Sequence, residues 1–226
     1  MNLPLHSILE ETWFFRYLSE KQREVLASNS NLVRYSKKDV LFKQHTRTSH
    51  LMYVVSGLIR IIKEGRNNKI LSLKTITQGE FVSHFSIFGD SIFQYSASSV
   101  GESEILIIDY ASFVSILQDN GNLGMAMIRR MSKDGIYLIN RMMSLSHKQL
   151  PGRIAEVLLY FSEEIYKETE FNFPLTRLEL AELAGTTKES FIRTINEFKH
   201  DKIIELDGRH VRIISMDIVK VLSELG

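Results

Sequence analysis

Apolar residues between positions 32 and 109 alternate with polar ones in short runs, a period of two that is typical of β-strands. The runs predict strands at Leu51–Val55, Leu58–Ile62, Ile70–Ile76, Ser96–Val100 and Ile105–Ile108. Between them, Ser56-Gly57 and the Glu64–Asn68 stretch favour tight turns, because glycine and asparagine tolerate positive φ. We therefore expect a compact antiparallel sandwich or roll, preceded by a helix that Ser19 caps over Glu20–Asn29.

Beyond this β-rich stretch the period changes to that of a helix. Asp109 is a predicted N-cap for a short helix that ends near Asp119, and Asn120-Gly121-Asn122 breaks it. A longer helix follows, with polar residues such as Asp134 and Arg141 off its apolar seam. That seam alternates spacings of three and four, and its members are Ile128, Met131, Gly135, Leu138, Met142 and Leu145.

Two interpretations of the long helix remain open. The helix packs on its own β-domain, or it pairs with a second copy as a parallel coiled coil. At 1.5 Å per residue, roughly 25 residues reach about 37 Å, which is long for a connector and favours a homodimer.

The next boundary is Leu150-Pro151-Gly152, followed by an amphipathic helix over Arg153–Tyr166. Thr176 and Glu179 then form a capping box, so that a helix begins at Arg177 and ends at Gly185. A second N-cap at Thr186-Thr187 opens another helix, whose expected buried stripe is Phe191, Ile192, Ile195 and Phe198. Two short helices joined by a glycine turn are the pattern of a helix-turn-helix.

After the second helix, Asp207-Gly208 lies between alternating apolar residues and predicts a hairpin. A hairpin in this position is a wing, with Arg209 at its tip to contact phosphate. Ser215 is the expected cap of a final helix. The residues predicted to contact DNA are Thr187, Lys188, Glu189, Arg193, Asn196 and Arg209.

Composition narrows the function classes. The 226 residues contain no cysteine, which excludes disulfides, thiolate-bound zinc and cysteine-held iron–sulfur clusters. Neither a signal peptide nor an apolar run of membrane-spanning length is found, so we expect a cytoplasmic protein without membrane contact. Residues 150–226 hold 10 Lys and Arg against 14 Asp and Glu. DNA binding would therefore need one basic face, with Glu163, Glu164, Glu168 and Glu170 turned away from it.

The residues from Thr176 to Arg193, with Gly152-Arg153-Ile154-Ala155 and the Gln78–Val82 stretch, resemble the cyclic-AMP-receptor-protein/FNR superfamily. The resemblance implies an α+β fold with a β-roll effector domain (1–118), a dimerisation helix (119–149) and a winged helix-turn-helix (150–226). It implies a homodimeric transcription regulator of a near-palindromic duplex DNA site, with RNA polymerase as a further candidate partner. An arginine commonly opens the recognition helix in this family, whereas this chain has Lys188, so the half-site cannot be transferred.

The same resemblance defines a candidate effector pocket. Members that bind cyclic AMP use a glutamate for the ribose and an Arg-Ser pair for the phosphate; here His84 and Tyr95 stand at the glutamate and arginine positions. Loss of the arginine removes a charge-assisted partner worth about 2–5 kcal/mol, which argues against cyclic AMP and leaves an unknown small ligand. The pocket residues implied are Ser83, His84, Tyr95, Ser96, Leu138 and Ile139.

Other functions have weaker support. His84 is a candidate haem ligand, and His45 and His50 are candidate metal ligands. The favoured interpretation is an ordinary hydrogen-bonded histidine at His84 and surface histidines at the other two positions. An enzyme would need a nucleophile–base pair, a phosphate loop or a metal motif, and we find none, so no catalytic residue is assigned. The alternative function is a ligand-binding module that regulates a protein partner.

Overall fold

A computed structural model describes residues 5–66 and 69–226. The chain forms two compact units, Met1–Asn68 with Leu73–Ile136 and Lys69–Ser72 with Tyr137–Gly226. The division falls inside the long helix, so the predicted three-part domain scheme stays a prediction. The mixture of helices and strands confirms the expected α+β class.

The first unit is built on two antiparallel sheets. Its strands are β1 Ser30–Tyr35, β2 Val40–Phe42, β3 His50–Ser56, β4 Ile59–Glu64, β5 Ile70–Ile76, β6 Ser96–Ser99 and β7 Ser103–Asp109. One sheet has the order β1-β7-β3 and the other β2-β6-β4-β5. All five predicted strands are confirmed to within two residues. The strands β1 and β2 were not predicted, because β1 has little apolar alternation and β2 is only three residues long.

Helices close this unit around an aromatic core. They are α1 Leu5–Glu10, α2 Glu20–Ser28, α3 His84–Ile87 and α4 Tyr110–Asp119. Ser19 forms a capping box with Gln22 at the start of α2, and the Asp109 side chain accepts from the Ser112 amide at the start of α4. Both predicted caps are confirmed. The rings of Phe14 and Phe81 stack with their centroids 5.6 Å apart at the centre of the core.

The long helix α5 spans Gly121–His147. Only Asn120 separates it from the end of α4, and the Asn120 side chain accepts from the Leu123 amide. The predicted break is therefore a single residue wide. Leu123 and Met127 are buried.

The second unit contains α6 Leu150–Leu159, which continues as a π-helix over Tyr160–Tyr166, then β8 Glu170–Asn172, α7 Arg177–Leu183, α8 Lys188–His200, β9 Ile204–Asp207, β10 His210–Ile213 and α9 Met216–Leu225. Its sheet has the order β8-β10-β9. Pro151 lies in the first turn of α6, where the missing amide costs no hydrogen bond. The predicted side-chain cap at Ser215 is wrong, because this side chain makes no capping hydrogen bond.

Candidate nucleic-acid interface and effector pocket

The turn between α7 and α8 is set by two side-chain caps and one glycine. Thr176 Oγ1 accepts from the Glu179 amide at 3.3 Å, and the Thr176 amide donates to Glu179 Oε2 at 2.7 Å. Thr187 Oγ1 accepts from the Ser190 amide at 3.2 Å. Gly185 has φ +62°, a left-handed conformation that favours glycine. The predicted helix-turn-helix is thus formed by the residues that indicated it.

One face of α8 is buried and the other is open to solvent. Phe191, Thr194, Ile195 and Phe198 are buried, whereas Ile192 is only half-buried, so the expected stripe is slightly rotated. The exposed residues include Lys188, Glu189, Arg193 and Asn196. Lys188 and Glu189 lie in the first turn of α8, at its capped N-terminus, where the positive end of the helix dipole favours phosphate.

The wing follows α8 as the strands β9 and β10. Gly208 at its turn has φ +53°, and the adjacent Arg209 is exposed. The Arg209 carbonyl accepts from the Phe173 amide at 2.9 Å, which ties the wing turn to the segment before α7.

Arg177 also belongs to this surface, although the sequence predicted it only as the first residue of a helix. Its guanidinium donates to the Gly208 carbonyl and lies 5.6 Å from the centroid of the Phe173 ring. Burial lowers the pKa of Arg177, and the charge of Arg209 lowers it further. Arg177 therefore brings a second positive charge to the wing turn beside Arg209, and its place as the first residue of α7 was the available signal.

Some acidic residues of this unit form ion pairs with basic side chains of the same unit. Glu163 lies 3.0 Å from Lys220, and Glu170 lies 3.8 Å from Arg212. Such pairs offset part of the local negative charge, although exposed pairs add little stability. The expectation that these residues turn away from DNA stays a prediction.

In the candidate effector pocket, three hydroxyl groups are already used within the unit. Ser83 Oγ accepts from the Met52 amide at 2.8 Å, and Ser96 Oγ accepts from the Gln44 amide at 3.0 Å. Tyr95, at the position of the phosphate-binding arginine, donates its hydroxyl to the Val82 carbonyl at 2.8 Å. Burial raises the pKa of Tyr95, so this group is a neutral donor.

His84 is held by acceptors on both sides of its ring. Nδ1 lies 3.0 Å from the Phe81 carbonyl and Nε2 lies 3.1 Å from Asp134 Oδ2 on α5. Lys74 Nζ donates to the same carboxylate at 2.9 Å and also pairs with Glu80. Burial opposes ionisation of Asp134, but the hydrogen bond from His84 and the charge of Lys74 outweigh it and lower its pKa. In this arrangement neither ring nitrogen faces an open position for haem iron.

Two further positions of the predicted pocket lie in the other unit. Leu138 and Ile139 belong to the second unit, where Leu138 is half-buried and Ile139 is 61% exposed. The six-residue effector pocket therefore stays a prediction. His45 and His50 are exposed. Across residues 5–66 and 69–226 no group of three or more acidic or histidine side chains is placed to hold a metal ion.

The exposed apolar face of α5 only partly coincides with the predicted seam. Its large exposed residues are Met125, Ile128, Ile136, Ile139, Met142 and Met143. Ile128 and Met142 are shared with the predicted seam, whereas Met131, Gly135, Leu138 and Leu145 are half-buried. A methyl group at Gly185 would clash with Leu145, so Leu145 packs against the helix-turn-helix turn.

Comparisons with known proteins agree with this architecture. Residues 32–120 match the cyclic nucleotide-binding domain, and residues 152–220 match the Crp-like helix-turn-helix domain. The chain is 22% identical over 194 residues to the cAMP-activated global transcriptional regulator CRP of Salmonella typhimurium, covering 83% of this chain and 91% of the relative.

Two solved structures share the fold. One is a putative Crp/Fnr-family regulator from Eubacterium rectale, with TM-score 0.78, 16% identity and coverage of 94% of this chain and 98% of that chain. The other is the c-di-GMP responsive global regulator CLP of Xanthomonas campestris, with TM-score 0.75, 22% identity and coverage of 86% and 99%.

No helix among the described residues is long and apolar enough to cross a membrane. The similar proteins are regulators rather than enzymes. With a cyclic-nucleotide-binding-type domain, the long helix α5 and a Crp-like helix-turn-helix, the chain belongs to the Crp/Fnr superfamily of transcription regulators.

Proposed function

We propose that this regulator binds duplex DNA sequence-specifically as a homodimer, under the control of a small effector other than cyclic AMP. The observation that carries the proposal is the solvent-facing stripe of α8, where Lys188, Glu189, Arg193 and Asn196 are exposed at the capped end of the helix and along it. Arginine and lysine can donate to guanine acceptors, and glutamate can accept from the cytosine amine. Arg177 and Arg209 at the wing supply phosphate contacts that fix the register.

The homodimer is supported by the exposed apolar face of α5. Ile136, Ile139 and Met142 are 59%, 61% and 69% exposed, which is unusual for large apolar side chains on one helix. A second copy of the same helix would cover them and would place two recognition helices on a near-palindromic site. Half-sites are expected about one turn of DNA apart. A contact with RNA polymerase stays a prediction.

The nature of the effector is inferred from the chemistry at Tyr95 and His84. A cyclic phosphate needs a cationic, bidentate partner, whereas Tyr95 offers a neutral hydroxyl that already donates to Val82. His84 is engaged with Asp134, whose negative charge would repel a phosphate. The structural neighbour CLP is described as c-di-GMP responsive, which supports an effector other than cyclic AMP.

The proposal is tested by selecting duplexes from a random-sequence library and measuring affinity by fluorescence anisotropy. Between about 50 and 200 mM salt, affinity should fall steeply because phosphate binding releases counterions. Lys188→Ala and Arg193→Ala should relax base preference by about 1–3 kcal/mol at one position each, whereas Arg209→Ala should weaken all sequences similarly. Cyclic AMP at millimolar concentration should leave the affinity unchanged.

Lys199→Ala is the matched control, since Lys199 is an exposed lysine in the last turn of the same helix. It should keep the wild-type base preference. Failure to enrich any sequence would overturn DNA readout and favour a protein partner. Equal losses from Lys188→Ala, Arg193→Ala and Arg209→Ala on all sequences would contradict the residue roles, and a large gain with cyclic AMP would overturn the effector assignment.

A further inference from the structure

The second unit contains a cavity that lies apart from the DNA-facing stripe of α8. It has a volume of about 140 Å³ and lies between α5, α6 and the end of α7. Its polar lining comes from Tyr137, Asn140, Arg141, Ser144, Glu156 and Tyr160, with Val157 and Leu183 as apolar walls. Leu183 is the last residue of α7, immediately before the turn of the helix-turn-helix.

Arg141 brings an incompletely neutralised charge to this cavity. Its Nη2 donates to the carbonyl oxygens of Leu183 and Ser72, but its Nε is buried without a hydrogen-bond partner. Burial lowers the pKa of the Arg141 guanidinium. The nearby Tyr137 and Glu156 raise this pKa, whereas the positive charge of Arg153 lowers it further. A buried cation of this kind is costly unless an anion pairs with it.

The neighbouring Arg153 also has a buried nitrogen that lacks an acceptor. Arg153 Nε is also buried without a hydrogen-bond partner. Among the residues that the structure describes, neither Arg141 nor Arg153 forms an ion pair. The acid that lines the cavity, Glu156, is already held by Lys148 at 2.7 Å and by Ser144. The charge balance around the cavity is therefore positive.

The shape and lining restrict the missing anion. A guanidinium edge matches a carboxylate or a phosphate in a bidentate arrangement. The walls are tyrosine rings, Val157 and Leu183, which suit a carbon skeleton better than a fully hydrated inorganic ion. A volume of about 140 Å³ suits a molecule of a few carbon atoms.

We propose that this cavity binds a small organic carboxylate through Arg141, with Arg153 adding positive charge and Asn140 at the rim. The site is distinct from the predicted effector pocket, because none of the six residues of that pocket lines it. A ligand here contacts the end of α7 and would stabilise the helix-turn-helix unit against unfolding.

Isothermal titration of the full chain with acetate, pyruvate and succinate, in low-salt buffer without DNA, tests the proposal. At least one of these carboxylates should bind saturably and raise the Tm. Arg141→Gln should weaken binding about tenfold or more, because it removes a charge-assisted partner. Asn140→Phe should have a similar effect by filling the cavity while Arg141 stays in place.

Arg129→Gln is the matched control, since Arg129 is an exposed arginine on the same helix. It should bind as the wild type does. No heat from any of the three carboxylates at millimolar concentrations would overturn the proposal, as would unchanged binding by both Arg141→Gln and Asn140→Phe. Binding of inorganic phosphate in preference to all three would overturn the organic-carboxylate assignment. Since no DNA is present, these outcomes are independent of whether the protein binds its operator.

Discussion

At the scale of single residues, Asp134 shows how a position can be identified from sequence while its role is not. The heptad pattern placed it off the apolar seam, which is compatible with a solvated surface charge. In the folded unit its carboxylate instead accepts from Lys74 and lies 3.1 Å from His84 Nε2, and its side chain is only 22% exposed. Its partners lie 50 and 60 residues away, and no local pattern links such positions. The same holds for Tyr95, whose hydroxyl meets the carbonyl of Val82.

Replacement of Asp134 by asparagine should lower the free energy of unfolding by about 1–3 kcal/mol at pH 7, because Lys74 and His84 would lose their charged acceptor. The pKa of Asp134 is lowered in the folded chain, so the carboxylate stabilises the fold above its unfolded pKa of about 4. That contribution is lost as pH falls through the lower, folded pKa. The difference between Asp134→Asn and wild type should therefore shrink below about pH 4, as measured by urea unfolding.

Glu163→Gln is the control for the Asp134→Asn substitution. Glu163 and Lys220 form an exposed ion pair, with side chains 46% and 51% accessible, so the loss should stay below about 1 kcal/mol. Equal losses in the two variants, or a difference that does not change with pH, would show that Asp134 is an ordinary surface charge.

At the scale of elements, the helices with side-chain caps were the most accurately predicted. Ser19, Asp109, Thr176 and Thr187 all accept the expected backbone hydrogen bond. Caps are local, since they join residues three positions apart, and local chemistry is visible in a sequence. The π-helix over Tyr160–Tyr166 was not foreseen, because its apolar periodicity resembles that of an α-helix.

Gly185→Ala tests how tightly the helix-turn-helix turn is packed. A side chain at φ +62° costs about 1 kcal/mol, and the new methyl group would also clash with Leu145 Cδ2. Gly208→Ala is a matched control, since Gly208 has φ +53° and its added methyl group would meet open space. Urea unfolding should show a larger loss for Gly185→Ala, by about 1 kcal/mol or more.

A double-mutant cycle isolates the contact. Leu145→Ala in the Gly185→Ala background should recover the additional loss, because it removes the clashing atom. Identical losses for Gly185→Ala and Gly208→Ala would mean that backbone strain alone sets the requirement for glycine and that Leu145 does not pack on the turn.

At the scale of the whole molecule, the apolar residues of α5 fall into a buried set and an exposed set. Leu123 and Met127 face the core of the first unit, and Leu145 packs on the helix-turn-helix turn. Ile136, Ile139 and Met143 are exposed on another face. Residue spacing alone does not separate the buried apolar residues from the exposed ones. The seam predicted from the sequence therefore lies on the helix surface between these two sets. Only the tertiary contacts separate the residues that are already covered from those that still need a partner.

This separation sharpens the dimer prediction. Ile139, at the centre of the exposed face, should tolerate aspartate within one chain, because its side chain meets solvent there. In a homodimer the same substitution would bury two opposed carboxylates against apolar side chains and against each other. Ile139→Asp should therefore change the mass measured by light scattering from dimer to monomer at micromolar concentration, with circular dichroism unchanged. DNA affinity should fall with it, since two half-sites would no longer be held together.

Lys133→Asp is the control, because Lys133 is exposed on the same helix but lies off the apolar face. It should stay dimeric and bind DNA as the wild type does. A monomeric wild type, or an Ile139→Asp variant that remains a dimer, would place the self-association surface elsewhere. If the Ile139→Asp variant remains a dimer, the seam predicted from the sequence gives a different expectation. Leu138 is a half-buried residue of that seam, and Leu138→Asp would then be the substitution that dissociates the dimer. The two substitutions thus decide which face of α5 meets its copy.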